Sequence, residues 1–174
     1  MNLSIIGTGY VGLVTGACFA KLGHIVTCVD IDTEKVRKIN TGISPIYEEG
    51  LDRLLVTYKD TITATTDIKT ALMNTDMTFI CVGTPSLKNG TIDVSYLKES
   101  TKQIATILKN KNRWHLVVVK STVIPGTTQS LVSPLLEQYS GKKVGYDIGL
   151  AMNPEFLKEG VAIKDFLGPD RIVI

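Results

Sequence analysis

The chain has 174 residues, a length that corresponds to about one domain. Apolar residues make up 44% and charged residues 21% of it, which is ordinary for a globular protein and excludes intrinsic disorder. The net charge of +2 is small and mixed, so nucleic acid is not expected as a partner. There is no apolar run of the roughly 18 residues that a membrane helix needs, and the start does not resemble a secretion signal. We therefore expect a globular cytoplasmic protein with no membrane partner.

Strands and helices are predicted to alternate along the chain. Short apolar runs predict strands, and apolar residues at helical spacing predict helices. The predicted strands are residues 3–6, 25–29, 62–65, 77–82, 115–119, 148–152 and 171–174. The predicted helices are residues 10–22, 33–40, 48–58, 67–73, 93–108 and 127–139. This order predicts the α/β class, with a doubly wound, mainly parallel Rossmann-type sheet and helices on both faces.

A glycine-rich turn joins the first predicted strand to the first predicted helix. Its G-x-G-x-x-G pattern consists of Gly7, Thr8, Gly9, Tyr10, Val11 and Gly12. In such a pattern the first glycine permits a tight turn, the second lets the backbone approach a pyrophosphate, and the third allows close packing of helix on strand. The helix N-terminus then offers free N–H groups to the phosphates. The turn therefore predicts a dinucleotide site.

An acidic residue supports this prediction independently. Asp30 ends the second predicted strand, close to the distance of about 20 residues at which a carboxylate binds the adenosine ribose. A carboxylate there favours NAD over NADP, although Lys35 and Arg37 lie nearby and weaken that preference. NAD is thus the predicted cofactor, and a flavin fits the spacing less well. The alternative is a glycine-rich turn beside a solvent-facing Asp30, with no ligand.

Three later strands end in polar loops, at residues 83–86, 120–126 and 153–160. Because ligands in open α/β sheets bind at the carboxyl ends of the strands, these loops are candidates for binding groups. Each candidate also has a structural alternative: Thr84 and Thr122 as turn-forming hydroxyls, Glu155 and Glu159 as an exposed helical face. Lys120 is equally compatible with an ordinary surface cation.

The remaining reactive residues give no further signal. An odd number of cysteines without a C-x-x-C pair predicts buried, reduced thiols and neither a disulfide framework nor a metal site; they are Cys18, Cys28 and Cys81. Neither His24 nor His115 has a Ser, Cys or carboxylate partner at a spacing that would indicate catalysis. Lys111 lies in a basic cluster near a predicted helix end, where cations are favoured.

Taken together, these segments resemble the UDP-glucose 6-dehydrogenase family, within the UDP-glucose/GDP-mannose dehydrogenase group. The resemblance extends in order over nearly the whole chain, and Asn-Pro-Glu-Phe-Leu-x-Glu-Gly is its most specific part. The matching segments are Ile6-Gly7-Thr8-Gly9-Tyr10-Val11-Gly12, Val29-Asp30, Pro45-Ile46-Tyr47-Glu48, Val82-Gly83-Thr84-Pro85, Lys120-Ser121-Thr122-Val123, Asn153-Pro154-Glu155-Phe156-Leu157-Lys158-Glu159-Gly160 and Pro169-Asp170-Arg171.

The resemblance implies oxidation of the C6 alcohol of UDP-glucose to UDP-glucuronate with two NAD per sugar. Residues 7–12 would then bind the pyrophosphate, and Asp30 with Lys35 the adenosine ribose. The nicotinamide half would contact Gly83, Thr84, Pro85, Ser121, Thr122 and Glu159. One wall of the sugar site would consist of Glu155, Phe156, Leu157, Lys158 and Glu159. Glu155 would act as acid/base when water attacks a thioester, and Thr122 would position a water or the sugar hydroxyl.

The sequence also departs from the family. Family members continue into a long central helix and a C-terminal UDP-sugar domain, which carry a catalytic cysteine, a lysine, an asparagine and an aspartate; no segment here matches them. We therefore expect residues 1–174 to be the NAD-binding domain alone, inactive by itself, from a protein that forms a homodimer or higher homo-oligomer. GDP-mannose or UDP-N-acetylmannosamine are alternative substrates. A non-catalytic nucleotide-binding module is an alternative of another class.

Overall fold

The computed structural model describes all residues, 1–174, and contains six strands. They are β1 Asn2–Ile6, β2 Ile25–Val29, β3 Ile62–Thr65, β4 Met77–Ile80, β5 His115–Val119 and β6 Ile148–Met152. The α-helices are α1 Tyr10–Lys21, α2 Thr33–Asn40, α3 Leu51–Thr57, α4 Ile68–Met73, α5 Ser95–Leu108, α6 Ser133–Ser140 and α7 Ala162–Leu167. A π-helical turn, Thr128–Val132, precedes α6.

All six strands form one parallel sheet in the order β3-β2-β1-β4-β5-β6. Ile6, at the end of β1, lies beside Val29 on one side and Ile80 on the other. The carboxyl ends of the strands therefore lie along one edge of the sheet, and the strand order reverses between β1 and β4. Such a reversal opens a crevice for a ligand. The predicted doubly wound Rossmann-type sheet is confirmed.

Helices cover both faces of the sheet. Successive residues of a strand point to opposite faces, so Ile5 and Val118 join a core with α1, α3 and α7, whereas Ile6 and Val117 join a core with α4, α5 and α6. The first face is incompletely covered over β4, β5 and β6, where a cavity of about 1210 Å³ lies against Leu116. No helix of the fold combines the length and apolarity needed to cross a membrane.

Two parts of the element prediction are wrong, and both lie in the last 25 residues. Residues 171–174 form no strand: they are exposed, and Val173 receives only one side-chain hydrogen bond, from Asn153. A strand needs backbone pairing with a neighbour, and no strand of the sheet pairs with these residues. The short helix α7 was not predicted. It is held by packing rather than by its own pattern, since Phe166 meets Phe19 edge to face with ring centroids 5.2 Å apart.

A buried polar network lies at the amino ends of the strands. The Lys111 ammonium donates to the backbone oxygens of Leu72 and Thr75 and to Nδ1 of His115. The other ring nitrogen of His115 lies 2.7 Å from the hydroxyl of Thr78. Both Lys111 and His115 are almost inaccessible to solvent. Lys111 lies just beyond the end of α5, as its place in the basic cluster predicted, and the partners of His115 are a threonine and a lysine rather than Ser, Cys or a carboxylate. The burial of both groups and the bond between them were not predicted, because tertiary packing brings them together.

Candidate functional site

The glycine-rich turn has the backbone shape that the pattern predicts. Gly7 has a φ of +94°, and a Cβ there would lie 2.9 Å from the backbone oxygen of Cys81. A Cβ on Gly12 would lie 1.9 Å from the backbone oxygen of Gly7, so α1 packs too closely for any side chain. A Cβ on Gly9 would meet nothing within 4 Å. Gly9 therefore leaves open space at the surface, as the approach of a pyrophosphate requires.

The N-terminus of α1 has no protein cap. Gly9 is the N-cap residue and supplies no side-chain hydrogen bond, and the first turn holds no acidic residue. The first N–H groups of a helix have no intrahelical acceptor, so those of Tyr10, Val11 and Gly12 are free to bind an anion. Phosphates bind at such helix ends. The residues present thus fit the pyrophosphate of NAD.

Asp30 lies beside this turn and is held in place by it. Its Oδ2 accepts hydrogen bonds from the backbone N–H of Thr8 at 2.8 Å and from the Thr8 hydroxyl at 2.5 Å. Its Oδ1 accepts from the backbone N–H of Asp32 at 3.1 Å, and the Lys35 ammonium lies 3.9 Å from Oδ2. Burial alone raises the pKa of Asp30, but the bonds from Thr8 and Asp32 and the charge of Lys35 outweigh it, so the pKa lies below its usual value. Asp30 is therefore an oriented carboxylate.

The three later strand exits are tied together by hydrogen bonds. The Thr84 hydroxyl, after β4, donates to the backbone oxygen of Thr122, after β5, at 2.6 Å. The Ser121 hydroxyl donates back to the Val82 backbone oxygen at 2.7 Å. Residues 83–85 and 121–122 thus form one polar surface. The Thr122 side chain is exposed on it, and Ser121 is buried as a structural link.

Lys120 is a buried residue, so the alternative of a surface cation is wrong. Its side chain lies under Phe166, 5.9 Å from the ring centroid, and donates to Oδ1 of Asn153 at 3.0 Å. This bond joins the exit of β5 to the exit of β6. Burial lowers the pKa of Lys120, and the nearby Glu155 charge opposes that effect. The sequence could not reveal it, because burial at this position depends on α7.

The segment 153–160, called here the 153–160 loop, is not helical, so the alternative of an exposed helical face for Glu155 and Glu159 is wrong. Glu155 is half-buried and accepts from the Leu157 N–H at 2.7 Å. Phe156 is half-exposed, with the Arg171 guanidinium 5.0 Å from its ring centroid. Lys158 and Glu159 are exposed. The loop therefore presents charged and aromatic groups around the carboxylate of Glu155.

The cavity over β4 to β6 opens at this loop. Its upper wall contains Lys120, Asn153, Glu155, Phe156, Leu157 and Lys158. The predicted sugar residues other than Glu159 thus surround one cavity. The predicted cofactor residues 7–12 do not line it; they lie at the turn beside it. The candidate phosphate-binding turn and the cavity over β4 to β6 are therefore two separate parts of the site.

None of the three thiols is suited to act as a nucleophile. All three are free and buried, and burial raises the pKa of Cys18, Cys28 and Cys81 to about 12 in each case. A thiolate is the reactive form, and its site is normally electropositive and partly exposed. The predicted buried, reduced cysteines agree with this arrangement.

One contact at the site was not predicted. The Tyr10 hydroxyl donates to the carboxylate of Glu48, which also accepts from the backbone N–H of Gly160 at 2.8 Å. Glu48 is buried. Glu48 lies in the matching segment Pro45-Ile46-Tyr47-Glu48, but no role was predicted for it. The signal in the sequence that could have indicated a role was the place of Glu48 directly after Pro-Ile-Tyr, at the end of that matching segment.

A parallel sheet in this order, with an uncapped helix after a glycine-rich turn and an acid at the end of the second strand, defines a dinucleotide-binding domain. The whole chain, residues 1–174, matches the UDP-glucose/GDP-mannose dehydrogenase family, NAD binding domain. The chain belongs to that family, and NAD is its cofactor.

Its relatives differ in their sugar. Over its full length the chain is 47% identical to GDP-mannose 6-dehydrogenase of Pseudomonas aeruginosa and 49% identical to UDP-glucose 6-dehydrogenase of Haloferax volcanii, and it covers 40% of each. Its fold superposes on a ternary complex of GDP-mannose dehydrogenase from Pseudomonas aeruginosa with a TM-score of 0.97 and 46% identity, over 99% of this chain and 40% of that one. The chain thus spans about two fifths of these relatives, and relatives with different nucleotide sugars are almost equally similar.

Proposed function

We propose that residues 1–174 are the NAD-binding domain of a dehydrogenase that oxidises the C6 alcohol of UDP-glucose to UDP-glucuronate, using two NAD per sugar. The observation that carries the proposal is the joining of three strand exits by Thr84, Ser121 and Lys120 beside an open cofactor turn. Burial of a charged group is costly, so a purely structural role for these loops does not explain why a half-buried Glu155 and a buried Lys120 line the same cavity.

The cofactor residues have separable roles in this function. The free N–H groups at the start of α1 bind the pyrophosphate, and Asp30 accepts hydrogen bonds from the adenosine ribose hydroxyls. Thr84 and Thr122 lie on the polar surface next to the turn and orient the nicotinamide half. When bound, NAD supplies the acceptor for the hydride that leaves C6 of the sugar.

The cavity residues handle protons and charge. Oxidation of an alcohol releases the hydroxyl proton, so a base has to lie within hydrogen-bond reach of it. Glu155 lies on the cavity wall, which also contains Asp165 and Asp170. It takes the acid/base role when water attacks a C6 thioester: it accepts the proton of the attacking water, and the thiolate leaves as the C–S bond breaks. Thr122 positions a water or the sugar hydroxyl. Lys120, held by Asn153, donates to an oxygen that becomes negative.

The part of the proposal that names UDP-glucose is tested by comparing nucleotide sugars as substrates. The test uses the longest available gene product that contains this chain and measures kcat/KM from NADH formation with UDP-glucose, GDP-mannose and UDP-N-acetylmannosamine. We expect UDP-glucose to give the highest value. A higher value with GDP-mannose assigns the chain to the chemistry of the Pseudomonas aeruginosa relative named above. No NADH formation with any of the three, from a folded enzyme that binds NAD, contradicts the dehydrogenase function and supports a non-catalytic nucleotide-binding module.

A further inference from the structure

The Glu48 carboxylate joins three segments that are distant in sequence. One oxygen, Oε2, accepts from the Tyr10 hydroxyl and from the Gly160 N–H, and the other, Oε1, accepts from the Ile163 N–H at 3.5 Å. Gly160 lies 112 residues from Glu48, and Tyr10 lies 38 residues from it. A single side chain thus connects the cofactor turn, the loop before α3 and the 153–160 loop.

This carboxylate is unusual because it is buried without a cation. Its residue is 5% exposed, and no lysine or arginine forms a salt bridge with it. Burial raises the pKa of Glu48, but the bonds from the Tyr10 hydroxyl and from the N–H groups of Gly160, Ile163 and Ala162 outweigh it, so the pKa lies below its usual value. A buried charge without a partner is costly unless several hydrogen bonds hold it. Glu48 therefore persists as an anion held by donors from other segments.

The position of Glu48 is fixed from its own side as well. The Ser44 N–H donates to the Asp52 carboxylate at 2.6 Å, and the Ser44 hydroxyl donates to the Ile46 backbone oxygen at 2.6 Å. The Glu48 backbone oxygen then accepts from the first residue of α3, Leu51, at 3.2 Å. The loop that carries Glu48 is thus held by hydrogen bonds of its own, which do not involve the 153–160 loop.

Tyr10 provides the link to the cofactor. It is the first residue of α1, so its N–H faces the phosphate site while its hydroxyl lies at Glu48. The Gly160 N–H lies 3.1 Å from the same hydroxyl oxygen. Burial, with Glu48 as the next cause, raises the pKa of Tyr10 to about 12, so the hydroxyl stays a donor at neutral pH. The bond between the two segments persists throughout the physiological range.

We propose that Glu48 is a positioning residue, which with the Tyr10 hydroxyl holds the 153–160 loop, and with it Glu155, at a fixed place beside the cofactor turn. The proposal rests on the proposed function, because it assigns that loop to the sugar. Glu48 is buried and does not line the cavity, so it acts through Gly160. Its loss leaves the free N–H groups of α1 and Asp30 in place, so sugar turnover has to suffer more than NAD binding.

The chain offers a matched control for the test. Glu49 follows Glu48 directly but is exposed and makes no hydrogen bond with its side chain, so Glu49→Gln changes the same charge without touching the loop. Glu48→Gln replaces one acceptor oxygen by an NH2 group, which faces an N–H group in either orientation. Tyr10→Phe removes the hydroxyl alone and serves where Glu48→Gln fails to fold.

The first measurement is amide hydrogen exchange of residues 153–160 in this chain, which does not depend on any activity. We expect exchange at least tenfold faster in Glu48→Gln and Tyr10→Phe than in Glu49→Gln. In Glu48→Gln a neutral amide with one acceptor oxygen replaces the carboxylate that holds the Gly160 and Ile163 N–H groups, and in Tyr10→Phe the hydroxyl that bonds both Glu48 and the Gly160 N–H is lost. Unchanged exchange in both variants overturns the proposal, whatever the substrate proves to be.

The second measurement distinguishes a role of Glu48 in placing the 153–160 loop for catalysis from a role in stabilising the fold alone. In the longest available gene product that contains this chain, we expect Glu48→Gln to lower kcat for the sugar about 10- to 100-fold, as displacement of a catalytic group by about 1 Å does, with the Kd of NAD changed less than twofold. Glu49→Gln is expected to leave both values unchanged. Equal losses in NAD affinity and kcat, or an unchanged kcat with fast exchange, overturn the proposal. Absence of turnover in the unaltered enzyme is a failure of the proposed function, and the exchange measurement still decides whether Glu48 holds the loop.

Discussion

The two ends of the sheet bury similar polar side chains in different ways. At the amino ends of the strands, the Lys111 ammonium donates to three protein acceptors, and His115 has a partner on each ring nitrogen. At the carboxyl ends, Lys120 has one partner, Asn153, and lines a cavity, and Asp30 is oriented but still half-buried at the surface. Saturated polar groups stabilise a fold, whereas groups with remaining donors and acceptors are available to a ligand.

The largest expected effect is on stability, at the amino end. Lys111→Met leaves the Thr75 backbone oxygen and Nδ1 of His115 without the ammonium donor, and the Leu72 backbone oxygen keeps only the long contacts from the Thr75 N–H and hydroxyl, both at 3.4 Å. Each buried unsatisfied group costs about 1–3 kcal/mol. We expect the free energy of unfolding in urea to fall by about 3 kcal/mol. Lys109→Met, on the exposed end of the same region, is expected to change it by less than about 0.5 kcal/mol. If Lys111→Met lowers the free energy of unfolding no more than Lys109→Met does, the buried network does not stabilise the fold.

The second effect concerns pH and the same network. Burial, with the Lys111 charge as the next cause, lowers the pKa of His115 to about 4. The unfolded chain therefore binds a proton at His115 near its ordinary pKa of about 6.5 while the folded chain does not, so stability falls as pH falls through this range. We expect a loss of about 2 kcal/mol between about pH 7 and pH 5. His115→Gln is expected to remove this dependence and His24→Gln to keep it, as measured by urea unfolding at several pH values.

The two ends of the sheet also differ in how well the sequence predicts them. The cofactor turn and Asp30 are local patterns, so both were predictable: α1 begins at Tyr10 as expected, and β2 ends before Asp30. The Lys111 and His115 network joins α4, β4 and β5, whose proximity follows only from packing. The same reason applies to the burial of Lys120. Glu48 is the intermediate case, because its segment was recognised but its partner, Gly160, lies 112 residues away.

At the carboxyl end the main effect is on affinity. Asp30→Asn removes the charge that accepts from the ribose hydroxyls, and hydrogen bonds to charged groups contribute about 1.5–3 kcal/mol. We expect NAD to bind about tenfold more weakly in a calorimetric titration, and the discrimination against NADP to decrease because the carboxylate no longer repels a 2′-phosphate. Asp60→Asn, on an exposed turn, is the matched control. If both variants bind NAD like the unaltered chain, Asp30 is not the ribose ligand.

The smallest effect is expected from Lys35, because its ion pair with Asp30 is long and its side chain is 37% exposed. Exposed ion pairs contribute little and are screened by salt. Lys35→Met is expected to weaken NAD binding about two- to threefold at low ionic strength, and the difference is expected to disappear at about 0.5 M salt. Lys59→Met, an exposed lysine outside the site, serves as the control. A tenfold effect that persists at high salt would instead mean that Lys35 contacts the adenosine ribose directly, as the family resemblance implies. Lys35 would then belong, with Asp30, to the ligand-binding groups of the carboxyl end.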